Sequence, residues 1–320
     1  MLRRITLALL ALVVAGLAFA GIGLWLAKRA IVAIAPPLPS VEAILAFDER
    51  ADLPVHVAWI NTASQKMPRS AVLDASLDPT PASPYVMSHP SFVLEWADGR
   101  MFLIDAGMDR ESAAAFGRPL EWVSGAEPIA PLGSTAEQLG PSALARVRGI
   151  AFTHEHTDHT QGVADLCRLR TKPLPLFQNS LQVEESNFTT RPGQRQLAEA
   201  GCLEPKPVAA GPLKDVLGFS GLLFFAAAGH TPGSQIFVAH VRSGDAVRSW
   251  IFTGDVVNQI DGVRQNIPKP ALYSALVVPE STTRLEELRR FLAGLERDHG
   301  VGLLVSHDQL SIEASGISRY

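Results

Sequence analysis

Along this chain the spacing of apolar and polar positions changes often enough to mark most of the secondary structure. Ile5 to Ala27 is an uninterrupted run of 23 residues without a charge. At about 1.5 Å per residue, a helix of that length crosses a hydrocarbon core of about 30 Å. Pro36-Pro37-Leu38-Pro39 then blocks helix continuation and predicts a stiff, extended spacer. Val55 to Ile60 alternates as a strand does, whereas Met67 to Pro84, rich in Pro, Ser and Asp, predicts loop. Phe92 to Trp96 and Arg100 to Ile104 flank Ala97-Asp98-Gly99, a hairpin pattern. Arg110 to Gly140 holds several Gly and Pro and fits a loop or a pair of short helices, and Pro141 to Arg148 reads as a helical lead into a strand at Ile150. Helical spacing returns at Gly162 to Leu169, a strand at Leu174 to Phe177, and helices at Leu181 to Asn187 and Gln194 to Ala200 about a turn at Arg191-Pro192-Gly193. Leu222 to Ala227, Gln235 to Val241 and Val247 to Phe252 predict three strands of a second sheet. Asp255 to Pro279 has no clear period, which predicts a loop lining a substrate cleft. Leu285, Leu288, Leu292 and Leu295 set an amphipathic helix over Thr283 to Arg297. Periodicity alone gives a mixed α and β chain.

Composition narrows this picture. With 320 residues, 47% hydrophobic and 19% charged, the chain is ordered and suits one catalytic domain, residues 51–320, behind an N-terminal segment (1–30) and a linker (31–50). Arg3 and Arg4 precede the apolar run, and Lys28 and Arg29 follow it. Ala18-Phe19-Ala20 would suit signal cleavage, but the run continues through Ile22, Leu24, Trp25 and Leu26, which favours an uncleaved anchor. The domain is then expected on the periplasmic or extracytoplasmic side, or secreted if the segment is cut. The first thirty residues hold four basic groups and no acid, so the remainder carries 24 basic against 32 acidic residues, a net charge of −8. That argues against nucleic acid as a partner and leaves a small-molecule substrate. Cys167 and Cys202 are the two cysteines; in an exported domain they could form a disulfide, and two separate buried thiols are the alternative.

The densest chemistry lies at Ile150 to Gln161, IAFTHEHTDHTQ, where an apolar run empties into His154, Glu155, His156, Asp158 and His159. A strand ending near Phe152 puts His154 and His156 on one side, with Asp158 and His159 in the turn or first helical coil beyond. Imidazole and carboxylate are the donors zinc takes when thiolate is absent. Two cations need about six or seven such donors, and one loop supplies four, so the remainder must come from elsewhere in the chain. Three further apolar runs end in polar turns: Gly229-His230-Thr231-Pro232-Gly233-Ser234, Thr253-Gly254-Asp255 and Ser306-His307-Asp308. Glu155, between two ligands, is expected to face solvent or to stand behind them. His56 reads as an ordinary strand residue, His89 as structural or exposed, and His299 as a partner of its helix dipole.

This ordered set, an H-x-H-x-D-H loop, a GHTPGS turn, a TGD turn and a late His, resembles the metallo-β-lactamase superfamily of hydrolases over about Phe92 to Asp308. The resemblance implies an α/β fold of the αββα four-layer sandwich type, here with an N-terminal transmembrane helix. It also implies two divalent metal ions, zinc first with Fe2+ or Mn2+ open. One would take His154, His156 and His230, the other Asp158, His159 and His307, with Asp255 bridging. A metal-bridging hydroxide would attack the substrate, with Asp158 steering a proton to the leaving group, and Asp105 would support the ligands from behind. The His307-Asp308 ending looks like the acyl-homoserine lactonase branch, which implies an ester or lactone substrate. That branch has a Tyr three residues beyond the bridging Asp; Asn258 stands there, leaving Tyr273 as the residue that could reach the same pocket. A thioesterase, phosphodiesterase or β-lactamase fits the same loop, and a catalytically idle, membrane-anchored binding protein is the reading from another class.

Overall fold

A computed structural model describes residues 2–320. The N-terminal run forms helix α1 (Leu2–Ala33), with a mean hydropathy of 2.6 over its most apolar 18 residues, long and apolar enough for a membrane anchor or a signal sequence. Its C-terminal end is not free. Ala27 and Ile31 are buried and Leu24, Ala30 and Ile34 half-buried, a three- and four-residue spacing that lays one stripe of the helix against the globular part. The stretch 31–50, expected as a stiff linker, instead lies along the domain. Ser40 caps the short α2 (Val41–Leu45), Ile44 is fully buried, and Arg284 donates to the Pro36 carbonyl.

Two sheets follow. The first contains β1 (Pro54–Lys66), β2 (Val86–Trp96), β3 (Met101–Ile104), β4 (Ala130–Pro131), β5 (Val147–Ala151), β6 (Leu174–Asn179) and β7 (Leu203–Val208). The second contains β8 (Lys214–Asp215), β9 (Leu222–Ala226), β10 (Gln235–Ser243), β11 (Ala246–Phe252) and β12 (Gly302–Leu304), and β13 (Ser318–Arg319) returns to the first. The strand orders are 13-1-2-3-5-6-7, with β4 beside β1, and 12-11-10-9-8. Because alternate residues share a face, each central strand is sorted between two cores. Phe92, Phe102, Phe237 and Phe252 point between the sheets, while Val93 and Leu103 point out from the first and Val238 and Ile251 out from the second.

Helices cover both outer faces. On the first sheet lie α3 (Arg110–Ser124), α4 (Thr135–Leu144), the short α5 (Thr157–Thr160), α6 (Val163–Leu169), α7 (Ser180–Glu184) and α8 (Arg191–Glu199), with Leu139, Leu166 and Leu197 packed on Val93, Leu103 and Ile150. On the second lie α9 (Asp261–Arg264) and α10 (Thr282–His299), whose Leu285, Leu288, Leu292 and Leu295 meet Ile236, Val238 and Ile251; α11 (Gln309–Ala314) follows β12. The layers are therefore helix, sheet, sheet, helix.

Several elements differ from their sequence expectation. Arg110 to Ser124 is one 15-residue helix, started by Asp109 accepting from Ser112 N at 2.8 Å and stopped by Gly125 at φ 70°. Arg191-Pro192-Gly193 is not a turn but the first turn of α8, where a proline lacks an N–H that would have no partner anyway. An added Cβ at Gly193 would lie 2.1 Å from the Glu155 carbonyl oxygen, so the His-rich loop rests directly on this helix. Strand β7, LEPKPV, is not apparent from the pattern, because two prolines and a charged pair hide it.

Cys167 and Cys202 form a disulfide joining α6 to the turn before β7, with Cα atoms 5.1 Å apart. Closing a loop of sequence separation 35 restricts the unfolded chain by about 4 kcal/mol. Replacing both cysteines by Ser is expected to lower the free energy of unfolding in urea by about that amount. A midpoint unchanged between the double variant and the parent would show that the link does nothing for stability.

Candidate metal centre

Four strand ends meet at one rim of the sandwich. β5 stops at Ala151, so Thr153 to His156 leave the sheet and His156 is the N-cap residue of α5. β9, β11 and β12 stop at Ala226, Phe252 and Leu304, and His230, Asp255 and His307 follow within a few residues. Gly254, at φ 52°, is the turn that aims Asp255; a Cβ there would stand 2.9 Å from that of Thr153, so only glycine lets this turn close against the His loop.

All seven side chains expected as ligands come together, six buried and His156 half-buried. His154 Nε2 and His230 Nε2 lie 3.0 and 3.1 Å from His156 Nδ1. His159 Nε2 and His307 Nε2 are 3.3 Å apart, and Asp158 Oδ2 is 3.8 and 3.4 Å from them. Asp255 stands between the two groups: its Oδ2 is 3.5 Å from His230 Nε2, 3.9 Å from His154 Nε2 and 3.1 Å from His307 Nε2, and its Oδ1 is 3.4 Å from His159 Nε2.

Two observations test whether this arrangement fits metal. Donors on one tetrahedral zinc, each at about 2.05 Å, stand roughly 3.3 Å apart, which is the spacing found. The outward nitrogens are also fixed. His159 Nδ1 meets Asp105 Oδ2 at 2.9 Å, His230 Nδ1 meets Glu280 Oε1 at 2.5 Å, and His307 Nδ1 meets the Ser88 carbonyl at 2.7 Å. Each of those contacts makes Nδ1 the donor and leaves an Nε2 lone pair aimed inward. Inward lone pairs this close repel unless a cation lies among them, and Asp255 Oδ1 is buried with no hydrogen-bond partner in the protein. The residues fit a divalent metal.

The charges agree. Burial holds the His154 pKa well below the ordinary imidazole value, helped by nearby His159, and burial with His230 pushes His156 down to about 3. Burial opposes charge on His159 and His307 too, but the surrounding carboxylates win: Asp105, Asp158 and Asp255 raise His159, and Asp255 and Asp158 raise His307. Asp158 and Asp255 are held far below the usual carboxylate range despite burial, by His159 and His307 in particular. One half of the cluster thus presents neutral nitrogen, while in the other the carboxylates favour positive charge beside them, on a ring or on a bound cation.

Asp105 follows β3 at φ 62°, a backbone position that side chains other than glycine rarely take. Its carboxylate accepts from Thr153 N at 2.7 Å and Thr153 Oγ1 at 2.9 Å as well as meeting His159. Glu155 does not face solvent: it is buried, accepts from Gln178 Nε2 at 2.6 Å, and burial raises its carboxyl to about 7. His89 is not exposed either. It lies buried against the rings of Phe116 and His307 with Nδ1 3.4 Å from Asp158 Oδ2.

Sequence reasoning missed a buried set behind His230. Lys269 Nζ donates to Glu280 Oε1 and to the Asp255 carbonyl, each at 2.7 Å, and Ser274 Oγ donates to Glu280 Oε2 at 2.6 Å. These residues sit in or beside the stretch without periodicity, so no spacing singled them out. Tyr273 packs its ring over Lys269, and burial together with Glu280, Asp255 and Asp158 raises its phenol well above the ordinary value. A cleft of about 480 Å3 opens elsewhere, between the end of α10 and α11, with Asp308 and Gln259 in its lining.

A buried His and Asp cluster at the strand ends of a four-layer sandwich defines a metallo-hydrolase class of site. The chain belongs to the metallo-beta-lactamase superfamily, whose family model matches residues 84–298. No curated protein sequence matches it. Among solved structures, an N-acyl homoserine lactone hydrolase with the product N-hexanoyl-L-homoserine at its catalytic metal centre is similar at 16% identity and a TM-score of 0.58, covering 82% of this chain and 96% of that one. A B. thuringiensis AiiA variant with N-decanoyl-L-homoserine in its active site gives the same identity, TM-score and coverage. A probable metal-dependent hydrolase from Staphylococcus aureus matches at 12% identity and a TM-score of 0.53, over 81% and 91%. At these identities the likeness is one of fold.

Proposed function

We propose that this chain is a binuclear metal-dependent hydrolase acting on an ester or lactone carbonyl. The observation that carries the reading is the pair of donor groups, His154-His156-His230 and Asp158-His159-His307, joined by Asp255 at 3.1 to 3.9 Å from four imidazole nitrogens. Zinc is the ion such nitrogen and oxygen donors favour, with iron and manganese as alternatives. Divalent cations held there would supply an acidified water and a Lewis acid for the substrate oxygen.

The protein's own residues do the rest. Glu280, Asp105 and the Ser88 carbonyl fix the tautomers of His230, His159 and His307, so each presents a lone pair inward. Asp158, held ionised beside His159 and His307, is the group to steer a proton to the leaving oxygen. Tyr273, kept protonated by its surroundings, is a donor for the substrate from the loop beyond Asp255. One fold neighbour is an N-acyl homoserine lactone hydrolase holding N-hexanoyl-L-homoserine, its ring-opened product, at the catalytic metal centre, which supports the ester and lactone class over thioester, phosphodiester or β-lactam chemistry. We place the domain outside the cytoplasm, anchored by α1, because its two cysteines are joined in a disulfide.

The test is a screen of lactone, ester, thioester, phosphodiester and β-lactam substrates on the full chain, loaded with Zn2+, Mn2+ or Fe2+ separately. Two equivalents of metal and lactone or ester turnover are expected. Two equivalents with no turnover in any class would favour an idle binding protein. His156→Ala should lose metal and turnover together, and turnover retained in that variant would count against the ligand assignment.

A further inference from the structure

The segment that closes over His230 has two faces of opposite character. Lys269, Tyr273 and Ser274 turn inward to the Glu280 cluster. Leu272, Leu276 and Val277 turn outward, 74%, 58% and 60% exposed. Phe188 is exposed as well, next to Thr189, whose Oγ1 lies 2.9 Å from His156 Nε2. Large apolar side chains therefore stand exposed both on the segment that backs His230 and on the one that touches His156, and exposed apolar surface is where an apolar partner docks.

The place of α1 says what that partner is. Lys28 and Arg29 end the uncharged run, and the Arg29 guanidinium lies over the Trp25 ring, as at a membrane interface. Ala27 and Ile31, at this same level, are buried against the globular part. A few residues on, the Pro36 carbonyl accepts from Arg284, in the first turn of α10 and four residues after Glu280. The helix thus holds the domain close to the headgroups, beside the segment that carries Leu272, Leu276 and Val277.

We infer that this apolar rim rests in the bilayer interface and that the substrate is an amphiphile, an acylated lactone or ester that enters from the membrane rather than from bulk water. The substrate class rests on the hydrolase reading above; the bilayer contact rests on the anchor and on the exposed side chains. Leu272 and Leu276, four residues apart, share one face of a helical turn, so both can enter the interface together.

Because both native cysteines are bonded to each other, a single introduced thiol can be labelled selectively. In the full chain reconstituted into phosphatidylcholine and phosphatidylglycerol nanodiscs, Leu276→Cys carrying a bimane label is expected to be quenched at least threefold by lipids with a shallow doxyl group. Asp245→Cys, in the turn after β10 and about 27 Å along that strand from its site end, is expected to show none. Equal and negligible quenching at both positions would overturn the inference, as would a chain that sodium carbonate strips from the bilayer. A second measurement reads the substrate route: Leu272→Ser/Leu276→Ser should raise KM for a long-chain acyl lactone in nanodiscs at least fivefold with kcat retained, and an unchanged KM would refute membrane delivery. Turnover of a short-chain, water-soluble lactone by the parent protein tests the hydrolase reading separately, while the quenching result stands whether or not the protein turns over lactone.

Discussion

Asp255→Asn is expected to retain at most one equivalent of tightly bound metal and to lose activity by three to four orders of magnitude, on the order of 4 to 5.5 kcal/mol of transition-state stabilisation. The substitution keeps the shape of the side chain and removes its charge. A neutral amide with one acceptor oxygen is a much weaker ligand for a pair of cations than a carboxylate with two charged ones. The carboxylate oxygens lie near His154, His230, His307 and His159, and Oδ1 has no protein donor to satisfy it. Elemental analysis of the dialysed variant alongside kcat/KM on the best substrate from the screen decides the matter. Two full equivalents of metal with activity within tenfold of the parent would mean that Asp255 bridges nothing.

Lys269→Met is expected to cost about 3 to 5 kcal/mol of stability, the usual penalty for leaving one member of a buried ion pair alone. For a domain of this size that is a fall in Tm of about 10 °C. Burial works against the Glu280 charge, and Lys269 with His230 holds its carboxyl down at about 2. Take the cation away and the carboxylate retains only Ser274 Oγ and His230 Nδ1 at bonding distance. Adding Glu280→Gln to Lys269→Met removes the stranded charge and should recover much of the loss. Because Glu280 also fixes the His230 tautomer, the double variant should still bind metal about 10- to 100-fold more weakly. Calorimetry across the two single variants and the double would reveal the coupling, and strictly additive losses would argue that Lys269 and Glu280 act apart.

The four strand-end motifs were legible because each couples a short apolar run to a polar turn, and chain order kept them distinguishable. The two-sheet core was legible for a related reason: Phe92 to Trp96 and Gln235 to Val241 are apolar enough to be buried on both faces. Lys269 and Glu280 were not legible. A lysine and a glutamate eleven positions apart look like solvated charges until tertiary packing removes their water. For His89 the choice between a structural and an exposed place stayed open for the same reason, since a strand histidine gives no sign of which face it will meet; the structure buries it. Helix α3 was obscured by Gly117 and Pro119 inside it, which lower local propensity while packing and the Asp109 cap override them. The stretch at Pro36 was read as a stiff, extended spacer because proline forbids helix; an extended chain can also lie flat on its domain, and Arg284 holds it there.

Strand β7 ends the larger sheet, and Pro205 and Pro207 occupy two of its six positions. Both have the same parity, so with the ladder to β6 intact their nitrogens face outward. The outer margin therefore offers an incoming chain carbonyls but no N–H at either place, and Glu204 and Lys206 add paired charge between them. With that margin blunted, a second copy of the chain has no template at this edge for extending the sheet from one molecule to the next.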